Sequence, residues 1–250
     1  MPPSDEIARI QSCIRNHIDL GAGGKKRFAA VIGDAPSRYS KSPPLWNAAF
    51  NALKIDAVYL PLDVEDGRLS ALLTAIKESD RCLGLNVTVP HKLAVMRHLD
   101  SIDGKAARIG AVNTIVRTEG GRLVGANTDG EGFVQSLLTV QPGRDAPFLA
   151  SLDGISVLIL GAGGSARAVA FALAEKVERG RLYIANRTHE SAVSLAGEIG
   201  KSFGSVTAIR EEEVPEYARR VGLIVNCTTK GQGGIRKSAA GATVLEPYSA

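Results

Sequence analysis

The sequence predicts an α/β protein of two domains, each a sheet flanked by helices, and three observations carry that reading. Apolar strand-like runs alternate with amphipathic helix-like runs through most of the 250 residues, a rhythm that argues for parallel strands joined by crossover helices. A turn-rich stretch, QPGRDAPFLASLDG (141–154), breaks the rhythm near the middle, as an interdomain connection does. Directly after it, SVLILGAGGSARAVAFALAEKV (156–177) runs from an apolar strand through a glycine turn into a helix of small residues. The expected organisation is an N-terminal helix and linker (1–27), a first α/β domain (28–140) and a second, parallel-sheet domain (141–250).

The elements follow in order. Ser4 suits the cap of a helix through Leu20, with Ile7, Ile10, Ile14 and Ile18 on one face. GAGGKK (21–26) reads as a linker into the strand FAAVIG (28–33). Ser42 before Pro43 marks a helix start, and Trp46, Phe50 and Leu53 continue an apolar stripe. AVYLPLDV (57–64) is a strand, RLSALLTAIKES (68–79) a helix and CLGLNVTV (82–89) the next strand. In that strand Leu85, Val87 and Val89 alternate with Asn86 and Thr88, and Pro90 ends it while suiting the first turn of a helix, HKLAVMRHL (91–99). NTIVRT (113–118) and RLVGAN (122–127) form a hairpin around Glu119, Gly120 and Gly121, and GFVQSLLTV (132–140) is a helix leading out of the first domain.

Composition narrows the function classes. A hydrophobic content of 44% supports sizeable cores. A net charge of +4, without a basic block or interleaved aromatics, argues against nucleic acid as a partner. Three scattered cysteines (Cys13, Cys82, Cys227) suit reduced thiols and a cytoplasmic setting. The four histidines have no metal-ligand spacing, so no metal is expected. No apolar run is long enough to span a membrane, and the polar N-terminus is no secretory signal.

The sharpest local signal is the glycine turn. Gly161, Gly163 and Ala166 fill the G-x-G-x-x-G/A pattern in the strand–turn–helix setting it requires. Gly161 permits the tight turn, Gly163 admits close approach of a pyrophosphate, and Ala166 lets the helix pack on the sheet. The stretch Gly161, Ala162, Gly163, Gly164, Ser165, Ala166 is thus a candidate dinucleotide cradle, with helix-start amides facing the phosphates. This makes the second domain Rossmann-type. The next strand, RLYIAN, ends in Asn186, Arg187 and Thr188, where an NAD site usually places a carboxylate. Arg187 can pair with a 2′-phosphate, so NADP is the expected cofactor, and Thr188 doubles as a helix cap.

The first domain is then left to bind substrate. Its polar residues cluster at expected strand ends and turns: Ser40 and Ser42, Asn86 and Thr88, Asn113, and Asp129. Singly, Ser40 and Ser42 read as turn and cap residues, Asn113 as a bridge between backbone groups and Asp129 as a helix cap. Together, hydroxyls and amides without histidine or metal suit a polyhydroxylated small molecule. A lysine and an aspartate, Lys92 and Asp129, offer a proton-transfer pair at a hydroxyl or ketone oxygen.

These stretches resemble, in order, the motifs of the shikimate/quinate dehydrogenase family. VIGDAPSRYSKSP resembles the motif whose paired serines bind the substrate carboxylate, here Ser40 and Ser42. GLNVTVPHK resembles the catalytic-lysine motif, which implies catalysis by Lys92 with Asn86 and Thr88 in the pocket. GAVNTI implies Asn113 as a ligand to ring hydroxyls, and GANTDGEG implies Asp129 as partner of the lysine. GAGGSARA and NRT are similar to the NADP-binding stretches. The resemblance implies reversible NADP-dependent reduction of 3-dehydroshikimate to shikimate, in aromatic amino acid biosynthesis, by a monomer or homodimer.

Three departures accompany it. Tyr39 stands where family members commonly have histidine, and residues 1–27 are an extension the family does not need. VNCTTKG resembles a late nicotinamide-side segment, but nothing after Gly231 matches the helices that return to the substrate domain, and GQGGIRKSAAGATVLEPYSA reads as a polar loop. The second domain is therefore expected to be C-terminally incomplete. The alternatives are a quinate-preferring enzyme or a non-catalytic NADP-binding protein; intact Lys92 and Asp129 favour the enzyme.

Overall fold

A computed structural model of the chain describes residues 3–19 and 27–230, in two compact units divided between Asn127 and Thr128. The linker at 21–26 and the polar stretch after Lys230 lie outside the described residues.

The first unit comprises α1 (Pro3–Gln11), β1 (Arg27–Gly33), α2 (Pro36–Tyr39), α3 (Ser42–Ala52), β2 (Ala57–Asp63), α4 (Leu69–Lys77), β3 (Cys82–Val87), β4 (Ser101–Ile102), α5 (Gly104–Ile109), β5 (Thr114–Arg117) and β6 (Leu123–Ala126). Its six-stranded sheet has the order β2-β1-β3-β5-β6-β4. Strands β2, β1 and β3 run parallel, while the expected hairpin β5–β6 joins β3 antiparallel, so this sheet is mixed.

Four local expectations change here. The first helix ends at Gln11, not Leu20, because the Gln11 side-chain amide turns back to hold the next loop. Its Nε2 donates to the Asn16 carbonyl at 2.8 Å, and its Oε1 accepts from the Ile18 amide at 3.1 Å. Ile10, Ile14 and Ile18 still reach the core, by a path that is only partly helical. The stretch after Pro90 forms turns and a short 3₁₀ segment, Ala94–His98, and no α-helix. Val89 is 51% exposed, so the buried alternation of Leu85 and Val87 stops one step earlier than the pattern suggested. The stripe on α3 also stays outside: that helix has no fully buried residue.

What holds α3 and the N-terminal extension is the open edge of β2. Asn47 donates to the Tyr59 carbonyl at 2.9 Å and accepts its amide at 2.8 Å. Asn16 donates to the Pro61 carbonyl at 2.9 Å and accepts the Asp63 amide at 2.7 Å. Two asparagines thus satisfy alternate backbone groups along an edge that would otherwise invite pairing with another chain.

The second unit comprises α6 (Asp129–Leu138), β7 (Val157–Leu160), α7 (Gly164–Ala174), β8 (Leu182–Ala185), α8 (His189–Gly200), β9 (Val206–Ile209), α9 (Val214–Ala218) and β10 (Leu223–Asn226). All four strands are parallel in the order β10-β7-β8-β9. The winding reverses between β7 and β10, where open α/β sheets bind ligands. Helix α6 opens this unit instead of closing the first, so the division falls before 140. Close packing explains it: a Cβ on Gly130 would lie 2.2 Å from the Ala168 carbonyl oxygen of α7, so glycine lets the two helices touch.

Candidate active site

In the first unit the segment after β3 is tied to β1 on one side and to the stretch before β5 on the other. The Thr88 amide donates to the Ile32 carbonyl at 2.8 Å, and the Val112 amide donates to the Lys92 carbonyl at 2.8 Å. His91 between them is wholly buried, with Nε2 2.9 Å from the Val64 carbonyl oxygen and Nδ1 3.1 Å from Asp66 Oδ1. This anchoring, and not a helix start, places Lys92, which is only 9% exposed. A lysine that far out of water is uncommon without a specific role or partner.

Four of the expected substrate residues meet in one network, and its centre is a residue the motif reading missed. The Tyr59 hydroxyl donates to Asn86 Oδ1 at 2.6 Å, with the Ser42 side chain near it. Asn86 Nδ2 donates to Thr114 Oγ1 at 3.3 Å, and Thr114 Oγ1 donates to Asn113 Oδ1 at 2.9 Å. Ser40 Oγ accepts the Ser42 amide at 3.2 Å. Burial pushes the Tyr59 phenol above its ordinary range, so it remains a proton donor to Asn86. Trp46 stacks on its ring at 6.1 Å. The only sequence signal for Tyr59 was a polar-tipped ring in an otherwise apolar strand.

Thr88 belongs to a neighbouring cluster. The Tyr39 hydroxyl donates to Asp34 Oδ1 at 3.0 Å, with the Thr88 side chain near it. Burial, then the Asp34 carboxylate, raise the Tyr39 phenol above its ordinary range. Gly33 makes the arrangement possible, since a Cβ there would lie 2.5 Å from Thr88 Cγ2. Asp129 is the first residue of α6 in the second unit, and Thr128 occupies the cap position that Asp129 was expected to fill.

In the second unit the C-terminal ends of the strands enclose an open recess. It is lined by Gly161, Ala162 and Gly163, by Asn186, Arg187 and Thr188, and by Glu211 and the loop Cys227–Lys230. Gly161 has φ +109°, a left-handed geometry that favours glycine, and its amide donates to the Ala185 carbonyl at 2.7 Å. A Cβ on Gly163 would meet nothing within 4 Å, so that backbone stands clear for an incoming group. Gly164 and Ser165 start α7, and Ala166 is fully buried where that helix packs on the sheet. Asn186 Nδ2 donates to the Thr188 carbonyl at 2.9 Å, closing the turn that presents Arg187. Thr188 holds the cap position of α8 without a side-chain capping bond. Backbone amides at a helix start with an exposed guanidinium, and no carboxylate among residues 186–188, fit an anionic dinucleotide carrying a 2′-phosphate.

No helix among the described residues is long and apolar enough to cross a membrane. Residues 31–115 match the family model for the shikimate dehydrogenase substrate binding domain, and residues 146–246 match that for shikimate / quinate 5-dehydrogenase. The second match continues beyond Gly231, where recognisable motifs end. The chain is 39% identical over 208 residues to the shikimate dehydrogenase (NADP(+)) of Lysinibacillus sphaericus, covering 82% of this chain and 70% of that protein. Among solved structures it is similar to the shikimate dehydrogenase of Aquifex aeolicus (TM-score 0.73, 30% identity, 88% of this chain and 74% of that one). It is also similar to the shikimate 5-dehydrogenase of Thermus thermophilus in complex with NADP(H) and shikimate (TM-score 0.67, 36% identity, 82% and 69%). With both family models matched in order and relatives alike over most of its length, this chain belongs to the shikimate dehydrogenase family.

Proposed function

We propose that this protein is an NADP-dependent dehydrogenase that reduces 3-dehydroshikimate to shikimate and catalyses the reverse oxidation. The observation that carries the reading is a buried Lys92, pinned beside a preformed network of hydroxyls and amides, in a chain whose relatives are shikimate dehydrogenases. Ser40 and Ser42 take the substrate carboxylate, while Asn86, Thr88 and Asn113 face the ring hydroxyls. Tyr59 orients Asn86 from behind. Lys92 protonates the oxygen of the ketone as it becomes an alkoxide, and in reverse accepts the proton from the alcohol. Asp129 is the aspartate that the motif GANTDGEG assigns to this proton transfer. The dinucleotide is held by the turn Gly161–Ala166 and by Asn186, Arg187 and Thr188, with Arg187 selecting the 2′-phosphate. When bound, NADPH supplies the hydride for the carbonyl carbon. Three free cysteines suit a reducing compartment such as the cytoplasm.

The test is dinucleotide reduction by the purified chain with shikimate or quinate, each with NADP⁺ or NAD⁺. Turnover should be highest with shikimate and NADP⁺. A chain that binds NADP⁺ yet oxidises neither acid would be a binding protein and not an enzyme.

A further inference from the structure

The recess of the second unit contains a charged pair that the cofactor reading leaves without a task. Lys230 Nζ donates to Glu211 Oε1 at 2.7 Å, and both residues line the recess. They come from opposite edges of the sheet. Glu211 follows β9 and Lys230 follows β10, with β7 and β8 between those strands. The bond therefore spans the strand ends that carry the glycine turn and Arg187.

The backbone that aims Lys230 is itself built for the purpose. Asn226 Oδ1 accepts the Thr228 amide at 3.0 Å and its hydroxyl at 2.7 Å, and Asn226 Nδ2 donates to the Lys230 carbonyl at 3.2 Å. Thr228 Oγ1 accepts the Lys230 amide at 3.1 Å. The Lys230 and Glu211 side chains are 20% and 34% exposed, so the pair is less screened than a surface bridge. An anion entering here meets one carboxylate that repels it and one ammonium that attracts it. The arrangement favours binding only if the ammonium is transferred from the carboxylate to the anion.

We infer that Lys230 is a further dinucleotide-binding cation, and that Glu211 is a positioning residue that holds it across the recess until a phosphate takes it over. The inference rests on the NADP reading. Its test is calorimetric titration of NADP⁺ into the full chain and into Glu211→Gln, Lys230→Met, Lys230→Arg and the double variant Glu211→Gln/Lys230→Met. Glu211→Gln should bind NADP⁺ as tightly as the unsubstituted chain or more tightly, because a competitor for Lys230 is gone. Adding Lys230→Met to Glu211→Gln should weaken binding roughly tenfold, the scale of one charge-assisted hydrogen bond. Lys230→Arg should retain affinity, which also guards against misfolding of the methionine variants. Equal affinity in Glu211→Gln and the double variant overturns the role of Lys230. Weaker binding in Glu211→Gln than in the unsubstituted chain overturns the exchange from carboxylate to phosphate. If the unsubstituted chain binds no NADP⁺, the cofactor reading fails and takes this inference with it.

Discussion

The second unit builds its recess from backbone: a glycine at φ +109°, the amides at the start of α7, and a turn closed by Asn186. The first unit builds its site from side chains borrowed from separate elements, and they meet only through hydrogen bonds such as Tyr59 to Asn86. A turn built from backbone is specified by a short contiguous stretch, so each such part acts nearly alone. A side-chain network is discontinuous, so its members act as a unit and their substitutions do not add. The contrast can be broken by substitutions in each unit that fail to stay within their own function.

The largest binding effect is expected at Gly161. Alanine there meets an unfavourable φ and places a Cβ 3.3 Å from the Cys227 backbone, a strain of about 1–3 kcal/mol that corresponds to roughly 10- to 100-fold weaker NADP⁺ binding. Calorimetry should register this while shikimate affinity stays unchanged. Next, Arg187→Ala should weaken NADP⁺ binding about tenfold and leave NAD⁺ nearly untouched, since only the 2′-phosphate loses its partner. Equal losses for both dinucleotides would mean Arg187 is not the selector.

In the first unit, Tyr59→Phe removes a donor and strands Asn86 Oδ1. We expect a roughly fivefold fall in kcat/KM for shikimate, within the range for a buried unsatisfied acceptor. NADP⁺ affinity should not move. The double variant Tyr59→Phe/Ser42→Ala should cost less than the sum of the single changes; strict additivity would dissolve the network. The smallest effect is at the sheet edge. Asn16→Ala should lower unfolding free energy by about 1–2 kcal/mol through two lost edge hydrogen bonds, visible in denaturant titration, with kinetic constants retained.

The same contrast explains what could be read in advance. The glycine turn, the strand after it and Arg187 were legible because adjacent residues specify local backbone. The polar clusters around Ser40, Asn86 and Asn113 were legible as motifs, but their connection through Tyr59 and Thr114 was not, because it depends on pairing between strands distant in the chain. The first helix was overextended because apolar spacing continued past Gln11, while the capture of Ile18 and Asn16 by a glutamine side chain leaves no periodic trace. The helix expected after Pro90 failed for a similar reason: long-range ties at Thr88, His91 and Lys92 outweigh local propensity. The role of Asn16 in covering β2 likewise appears only once the sheet exists.

The most direct measurement is steady-state oxidation of shikimate by Lys92→Ala beside NADP⁺ and shikimate affinities for the same variant. The account predicts that kcat falls by about 10²–10⁴-fold, the range for losing a general acid–base group. NADP⁺ affinity should be unchanged and shikimate affinity should move far less than the rate. A variant that keeps its kcat while losing shikimate affinity would make Lys92 a binding residue and contradict the account.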